Sequence, residues 1–210
     1  MARIIKGDWM KLEAPIKKKK VAEKAATAQA YQLKISLKGS KPLIWRRVLA
    51  ASTATLGDLH SIIQSSMGWE GGHLHAFEVG DVYYGSHFPG QELDDCEDEA
   101  AATVKDVAGK PKAKFKYEYD MGDSWIHDIV VEKILEPDAA RKTPVCIAGE
   151  GACPPEDCGG LWGYYSILDA IADKKHPDHE EMSEWLDEDY DPEVFDIDAA
   201  NKELKRMQKK

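Results

Sequence analysis

The sequence predicts an α+β fold: an antiparallel or mixed sheet of hairpins, packed by a helix after the first hairpin and by a C-terminal group of helices. Three observations carry this prediction. Segments that alternate apolar and polar residues fill the stretch 31–135. One segment of helical period, 55–69, interrupts them. After residue 160 helical periodicity takes over.

Taken in order, residues 1–29 read as a basic extension. KKKKVAEKAATAQA (17–30) is rich in Lys and Ala and has few apolar anchors. A single domain then spans 30–210. In YQLKISLK (31–38), Tyr31, Leu33, Ile35 and Leu37 share one face, the pattern of a half-buried strand. Gly39–Pro42 supplies a turn, and LIWRRVLA (43–50) returns as the second strand of a hairpin. TLGDLHSIIQSSMGW (55–69) is a helix. Thr55 precedes Asp58 by three residues as in a capping box, and Gly68 is placed to stop it. HLHAFEVGDVYYG (73–85) is strand, turn, strand.

Residues 86–102 are acidic and irregular and read as a mobile loop. Thr103–Val107 begins a short helix or strand. KAKFKYEYD (112–120) and SWIHDIVVEKIL (124–135) form a second hairpin around Met121-Gly122-Asp123. Helices follow at 161–173, 178–188 and 198–207. The segment 146–160, with Cys146, Cys153, Cys158, Pro154 and Pro155, reads as a rigid lead-in to the first of them. Glu156 and Asp157 lie near that helix's N-terminus, where acids are favoured.

The charge balance narrows the function classes. The net charge of the 210 residues is −10. Residues 1–50 carry 13 basic and 3 acidic side chains, and the rest carry 15 and 35. Such an acidic body repels nucleic acid, although a basic arm can touch a phosphate backbone, fold back on the body or remain a solvated tail. No apolar run reaches the ~20 residues of a membrane span. The first residues lack the apolar core of a signal peptide, so a cytoplasmic protein with reduced or metal-bound cysteines is expected. There is no P-loop, GxGxxG, HExxH or GxSxG pattern.

Three constellations carry candidate chemistry. His73 and His75, two apart on a strand, would share a face and could begin a metal site, with His60, His87 or His127 as a third ligand. The structural alternative is an exposed strand face with Leu74 and Ala76 turned inward. YDMGDSWIHD (119–128) brings Asp120, Asp123, Trp125, His127 and Asp128 together around a turn. Carboxylate beside imidazole suits acid–base work, whereas local turn bonding explains Gly122 and Asp123 alone. Cys146, Cys153 and Cys158 have no CxxC knuckle, so they read as zinc ligands or as small hydrophobes.

The segments IWRRV (44–48), TLGDLHSIIQSSMGW, HLHAF, YDMGDSWIHDIVVE, ACPPEDCGGLWGY (152–164) and PEVFDIDAANKEL (192–204) occur in this order. The series resembles the plasmid pRiA4b ORF-3-like family over about residues 30–207 and leaves the basic arm outside. Met121 stands where the family often has Phe. The resemblance implies a compact α+β domain and an association with plasmids and insertion-element passenger proteins. It implies no reaction, cofactor or catalytic residue.

Two functions from different classes follow. The first is a non-enzymatic binding module. Trp45, Trp69, Trp125, Trp162 and Tyr164 would form a groove beside the 153–160 loop, with Arg46 and Arg47 supplying positive charge for a peptide or a nucleic-acid end. His73, His75, Asp123, His127, Glu156 and Asp157 would complete that site. The second is a metal-assisted hydrolase or nuclease. Its ligands would come from His73, His75, His127, Asp120 and Asp123, and its base would be Glu156 or Asp157. A part in mobile-element DNA transactions, through the arm, is a third expectation. The first reading needs no cofactor; zinc or another divalent metal is the cofactor the second would take. Partners are expected to be a protein, peptide or nucleic acid, not a membrane. All readings turn on whether turn 120–125 meets loop 153–160.

Overall fold

A computed structural model describes residues 28–86, 96–138, 141–186 and 189–208. Residues 1–27 of the predicted arm and His87 lie outside the described residues. Among the described residues, eight strands form one mixed sheet: β1 (Ala30–Leu37), β2 (Trp45–Ala51), β3 (His75–Val79), β4 (Val82–Gly85), β5 (Glu97–Asp98), β6 (Lys114–Tyr119), β7 (Trp125–Leu135) and β8 (Val145–Glu150). Their spatial order is β5-β4-β3-β6-β7-β1-β2-β8. Every pair is antiparallel except β4–β5. The helices are α1 (Leu56–Met67), α2 (Val104–Val107), α3 (Gly160–Ala172), α4 (His179–Trp185) and α5 (Ile197–Met207). The α+β prediction holds.

Alternation fixes the sheet's two faces. Tyr31, Leu33, Ile35 and Leu37 of β1, Val48 and Ala50 of β2, Phe115, Tyr117 and Tyr119 of β6, and Trp125, Ile129 and Val131 of β7 are buried on one face. The register places them side by side, for example Leu33 opposite Val48 and Val131. The core lies between this face and the helices. Gln32, Lys34, Trp45, Arg47, Val130 and Glu132 are half-buried on the opposite face.

Helix α1 starts and stops where local chemistry dictates. Thr55 and Asp58 make a reciprocal capping box, and Gly68 closes the helix at φ 116°. Leu56, Leu59, Ile62 and Ile63 bury one stripe. Thr103 and Asp106 repeat the capping box at α2, so Thr103–Val107 is a helical turn and not a strand. α1 packs on α5, and α5 on β8. Among the described residues no helix is long and apolar enough to cross a membrane.

Two expectations change. β8 falls inside the predicted lead-in, so only its later part opens α3. Asn201 of α5 seals the outer edge of β8. Its carboxamide accepts from Cys146 N–H and donates to Cys146 C=O, each at 2.9 Å, copying a strand's pairing. The described parts of the predicted 86–102 loop, from Cys96 on, include β5 and a turn that carries the buried Glu99; residues 87–95 lie outside the described residues.

Candidate functional site

The turn between β6 and β7 meets the loop before α3. Asp120 stands at φ 55°, and its Oδ1 accepts from Gly122 N–H at 2.9 Å, an Asx turn that shapes 120–124. Asp123 Oδ2 then accepts from Gly159 N–H at 3.2 Å. Gly160 sits at φ 67°, and a Cβ there would lie 2.4 Å from the Asp123 carbonyl oxygen. Turn and loop are therefore in backbone contact, which Gly160 alone permits. Gly160→Ala is expected to cost about 2 kcal/mol, whereas Gly72→Ala, with open space around its Cβ, leaves thermal denaturation unchanged. A Gly160→Ala protein that melts with the wild type would contradict this.

Polar side chains converge across this junction. His73 Nδ1 is 3.6 Å from Asp120 Oδ2, and its Nε2 is 3.4 Å from Asp157 Oδ1. His73 and Asp120 are partly shielded, while Asp157 is 75% exposed. Among the described residues these three form the one group of His, Cys, Asp or Glu whose ligand atoms lie within 4.8 Å of one another. Beside them the Tyr119 hydroxyl donates to Glu156 Oε1. The second Glu156 oxygen accepts from Glu70 N–H at 3.3 Å. Burial, then the bond to Glu156, pushes the Tyr119 hydroxyl upward, so it stays a proton donor at neutral pH. The loop is pinned from below by Trp69, whose Nε1 donates to Pro154 C=O at 3.0 Å.

A second polar cluster lies deeper. His75 Nε2 is 2.7 Å from Glu99 Oε2, and its ring stacks on His60 at 3.5 Å and 7°. Gln64 Nε2 donates to the Tyr117 hydroxyl at 2.8 Å. His60 Nδ1 lies 2.7 Å from the same hydroxyl, so Tyr117 links His60 to Gln64. Burial, then the neighbouring His75, pushes His60 down to about 3. His127 is fully buried against Trp69 and Tyr117.

The predicted residues thus divide. His73, Asp123, Glu156 and Asp157 meet at the junction. The expected pairing of His73 with His75 does not form, because the strand begins at His75 and the two rings serve different clusters. His75 faces inward and Leu74 is 37% exposed, against the structural alternative, while Ala76 is buried as that alternative had it. His127 lies beneath Trp69, away from carboxylates.

Nor does the aromatic groove exist. Trp69, Trp125 and Tyr164 are core residues, Arg46 is wholly buried, and Arg47 points to the open sheet face and pairs with Glu132 at 2.6 Å. Trp162 stands apart at 82% exposure. Cys146, Cys153 and Cys158 belong to no metal-holding group among the described residues. Burial raises all three thiols, Cys158 to about 12, which keeps them protonated. Tyr119 and Glu99 were missed as site residues. Tyr119 reads as one more apolar position of an alternating strand, and Glu99 as one acid in an acidic loop.

The junction is built from segments that mark a family. The family model of the plasmid pRiA4b ORF-3-like protein matches residues 29–199. The chain belongs to this family. The pRiA4b ORF-3-like match opens one residue before β1 and runs into α5, so it contains both halves of the junction. The chain is similar to the uncharacterized protein y4hQ of Sinorhizobium fredii, 36% identical over 181 residues that cover 83% of this chain and 90% of that one. It is also similar to a crystal structure of a protein of unknown function, MM3350 from Methanosarcina mazei Go1. That likeness has a TM-score of 0.74 and 37% identity, covering 81% of this chain and 97% of the other.

Proposed function

We propose that this pRiA4b ORF-3-like protein is a metal-assisted hydrolase with its centre at the junction of turn 120–124 and loop 153–160. The observation that carries the reading is the convergence of His73, Asp120 and Asp157 within 4.8 Å. One imidazole and two carboxylates suit manganese, zinc or a similar divalent ion. Such an ion would polarise an ester oxygen and acidify a bound water. Glu156, next to Asp157 in sequence and held by Tyr119, would serve as the base for that water's proton. Tyr119 keeps that carboxylate oriented. The centre is open, with Asp157 largely exposed, which suits an accessible bond on a larger molecule. Phosphate esters are the first substrate class to test.

Calorimetry on protein purified without a histidine tag is expected to show one manganese or zinc ion per chain. His73→Ala or Asp157→Asn should weaken it at least tenfold. Glu156→Gln should keep the ion yet slow metal-dependent cleavage of bis(p-nitrophenyl) phosphate about a hundredfold or more. Absence of binding at millimolar metal would remove the reading.

Trp162 favours a second reading. An indole 82% exposed in the first turn of α3, two residues after Gly160, is a handhold for a peptide that reaches the junction from the helix side. On that reading the junction binds without cleaving.

A further inference from the structure

The sheet's open face carries charge that the junction does not use. β6, β7, β1 and β2 lie side by side, and their register puts Lys114 opposite Val130, Val130 opposite Lys34, and Lys34 opposite Arg47. Strands are spaced by ~4.8 Å, so this row crosses about 14 Å of flat surface. Like charges directly opposite each other destabilise a sheet. Lys34 and Arg47 are such a pair. Their ends gather over one indole, with Lys34 Nζ 4.9 Å and Arg47 Cζ 4.8 Å from the Trp45 ring centre. Alongside lies a broad, shallow depression of about 580 Å³, lined by Gln32, Arg47, Lys112, Val130, Glu132 and Lys133.

Among the described residues this part of the face therefore holds five cations, Lys34, Arg47, Lys112, Lys114 and Lys133, with Glu132 among them. That carboxylate is already committed. It accepts from Arg47 at 2.6 and 2.9 Å and from Gln32 at 2.6 Å. Of the other acids of the face, Glu78 holds Lys116, Glu118 takes the Ser124 hydroxyl, Asp128 stands opposite Lys116, and Glu150 stands opposite Trp45 and accepts from its indole. The positive end of the face is local, on a chain whose net charge is −10.

We infer that this face is a binding platform for single-stranded nucleic acid. Lys34, Lys114, Lys112 and Lys133 contact successive phosphates. Trp45, anchored through its Nε1–H to Glu150 Oε2 at 3.0 Å, stacks a base when Lys34 turns from the indole to a phosphate. A flat sheet with an aromatic and a row of cations takes a strand whose bases are free to stack; a paired duplex hides its base faces. An acidic peptide would meet the cations but leave the indole unused.

The inference is independent of the metal reading, and its test excludes metal. Full-length protein is titrated into fluorescein-labelled dT12 and rU12 in EDTA at 50 mM salt, with anisotropy as readout. Lys34→Gln with Lys114→Gln, which remove charge from exposed or half-exposed positions, should weaken binding at least tenfold. They should also lower the slope of log affinity against log salt by about 1.4, as loss of two single-strand phosphate contacts requires. Trp45→Ala should cost a further fivefold or more. His73→Ala should bind as the wild type does. Any of three results overturns the proposal: no retention of either oligomer, equal affinity in the double variant, or equal competition by polyglutamate or by duplex of the same length.

Discussion

Replacing Arg46 by Met is expected to destabilise the fold by about 3–5 kcal/mol, because three carbonyls lose their donor at a cost of about 1–3 kcal/mol each when buried. At this chain size that lowers the melting temperature by about 10 °C. The side chain is fully buried, and its hydrogen-bond partners are carbonyls, not carboxylates. Nε donates to Ser66 C=O at 2.9 Å, and Nη1 to Trp45 C=O at 2.9 Å and Glu150 C=O at 3.0 Å. The guanidinium also lies 3.7 Å from the centre of the Phe195 ring. One residue thus joins the last turn of α1, strands β2 and β8, and the segment entering α5.

The chemistry explains why a cation belongs there. The last carbonyls of a helix have no intrahelical donor and carry the negative end of its dipole. Arg46 satisfies one of them at Ser66. Met would fill the volume but leave three buried carbonyls short of a donor. Lys would keep the charge yet lose the planar fork and the stacking on Phe195, so Arg46→Lys should recover less than half of the loss. Thermal denaturation followed by circular dichroism reads both. A melting temperature within 3 °C of wild type for Arg46→Met would show that other contacts hold these elements.

Much of the fold is legible because the period-2 signal and the cap chemistry are local. Tyr31 to Leu37 alternate without a break, and Thr55, Asp58 and Gly68 mark α1 within two residues at each end. β8 is not legible. Ile147, its most apolar residue, is 42% exposed, while Cys146 is buried, so the strand's hydropathy runs against its burial. Its pairing is set by β2 and by Asn201, 55 residues away.

Site residues suffer from the same distance problem. Arg46 alternates with apolar Val48 and Ala50 on the inner face, yet a guanidinium reads in sequence as surface charge. Its local sequence carries no sign that carbonyls from three elements await it. His73 and His75 look paired by spacing, but the chain enters β3 between them, and each ring answers to a different carboxylate. The junction itself was half readable. Glu156 and Asp157 read in sequence as acids at a helix start, and nothing local says that Asp123 approaches Gly160 from 37 residues away.

Acid should unfold this protein earlier than its carboxylates alone would, because two imidazoles are held neutral inside it. Burial pushes His127 down to about 4 and His60 to about 3. In the unfolded chain both titrate near 6.5. Above pH 6.5 each ring is neutral in both states and adds no pH dependence. Below it the unfolded chain takes up protons that the folded chain refuses, so stability falls with pH by about 1.4 kcal/mol per unit for each ring. The loss levels off near pH 4 for His127 and near pH 3 for His60.

His127 isolates one ring from the other. Both its nitrogens are buried with no well-formed hydrogen bond, only the Trp125 and Tyr117 backbone near enough to offset part of the burial, whereas His60 is bonded to Tyr117. His127→Leu removes two unsatisfied polar atoms at similar volume. Stability at pH 7 should then be unchanged or higher by about 1 kcal/mol, and the slope between pH 6.5 and 4.5 should shrink by about 1.4 kcal/mol per unit. Urea midpoints at pH 7, 6 and 5 measure both quantities. A variant that loses stability at pH 7 and keeps the wild-type slope would mean that the imidazole is bonded in solution, through water or a shifted Trp69, and titrates as an ordinary histidine.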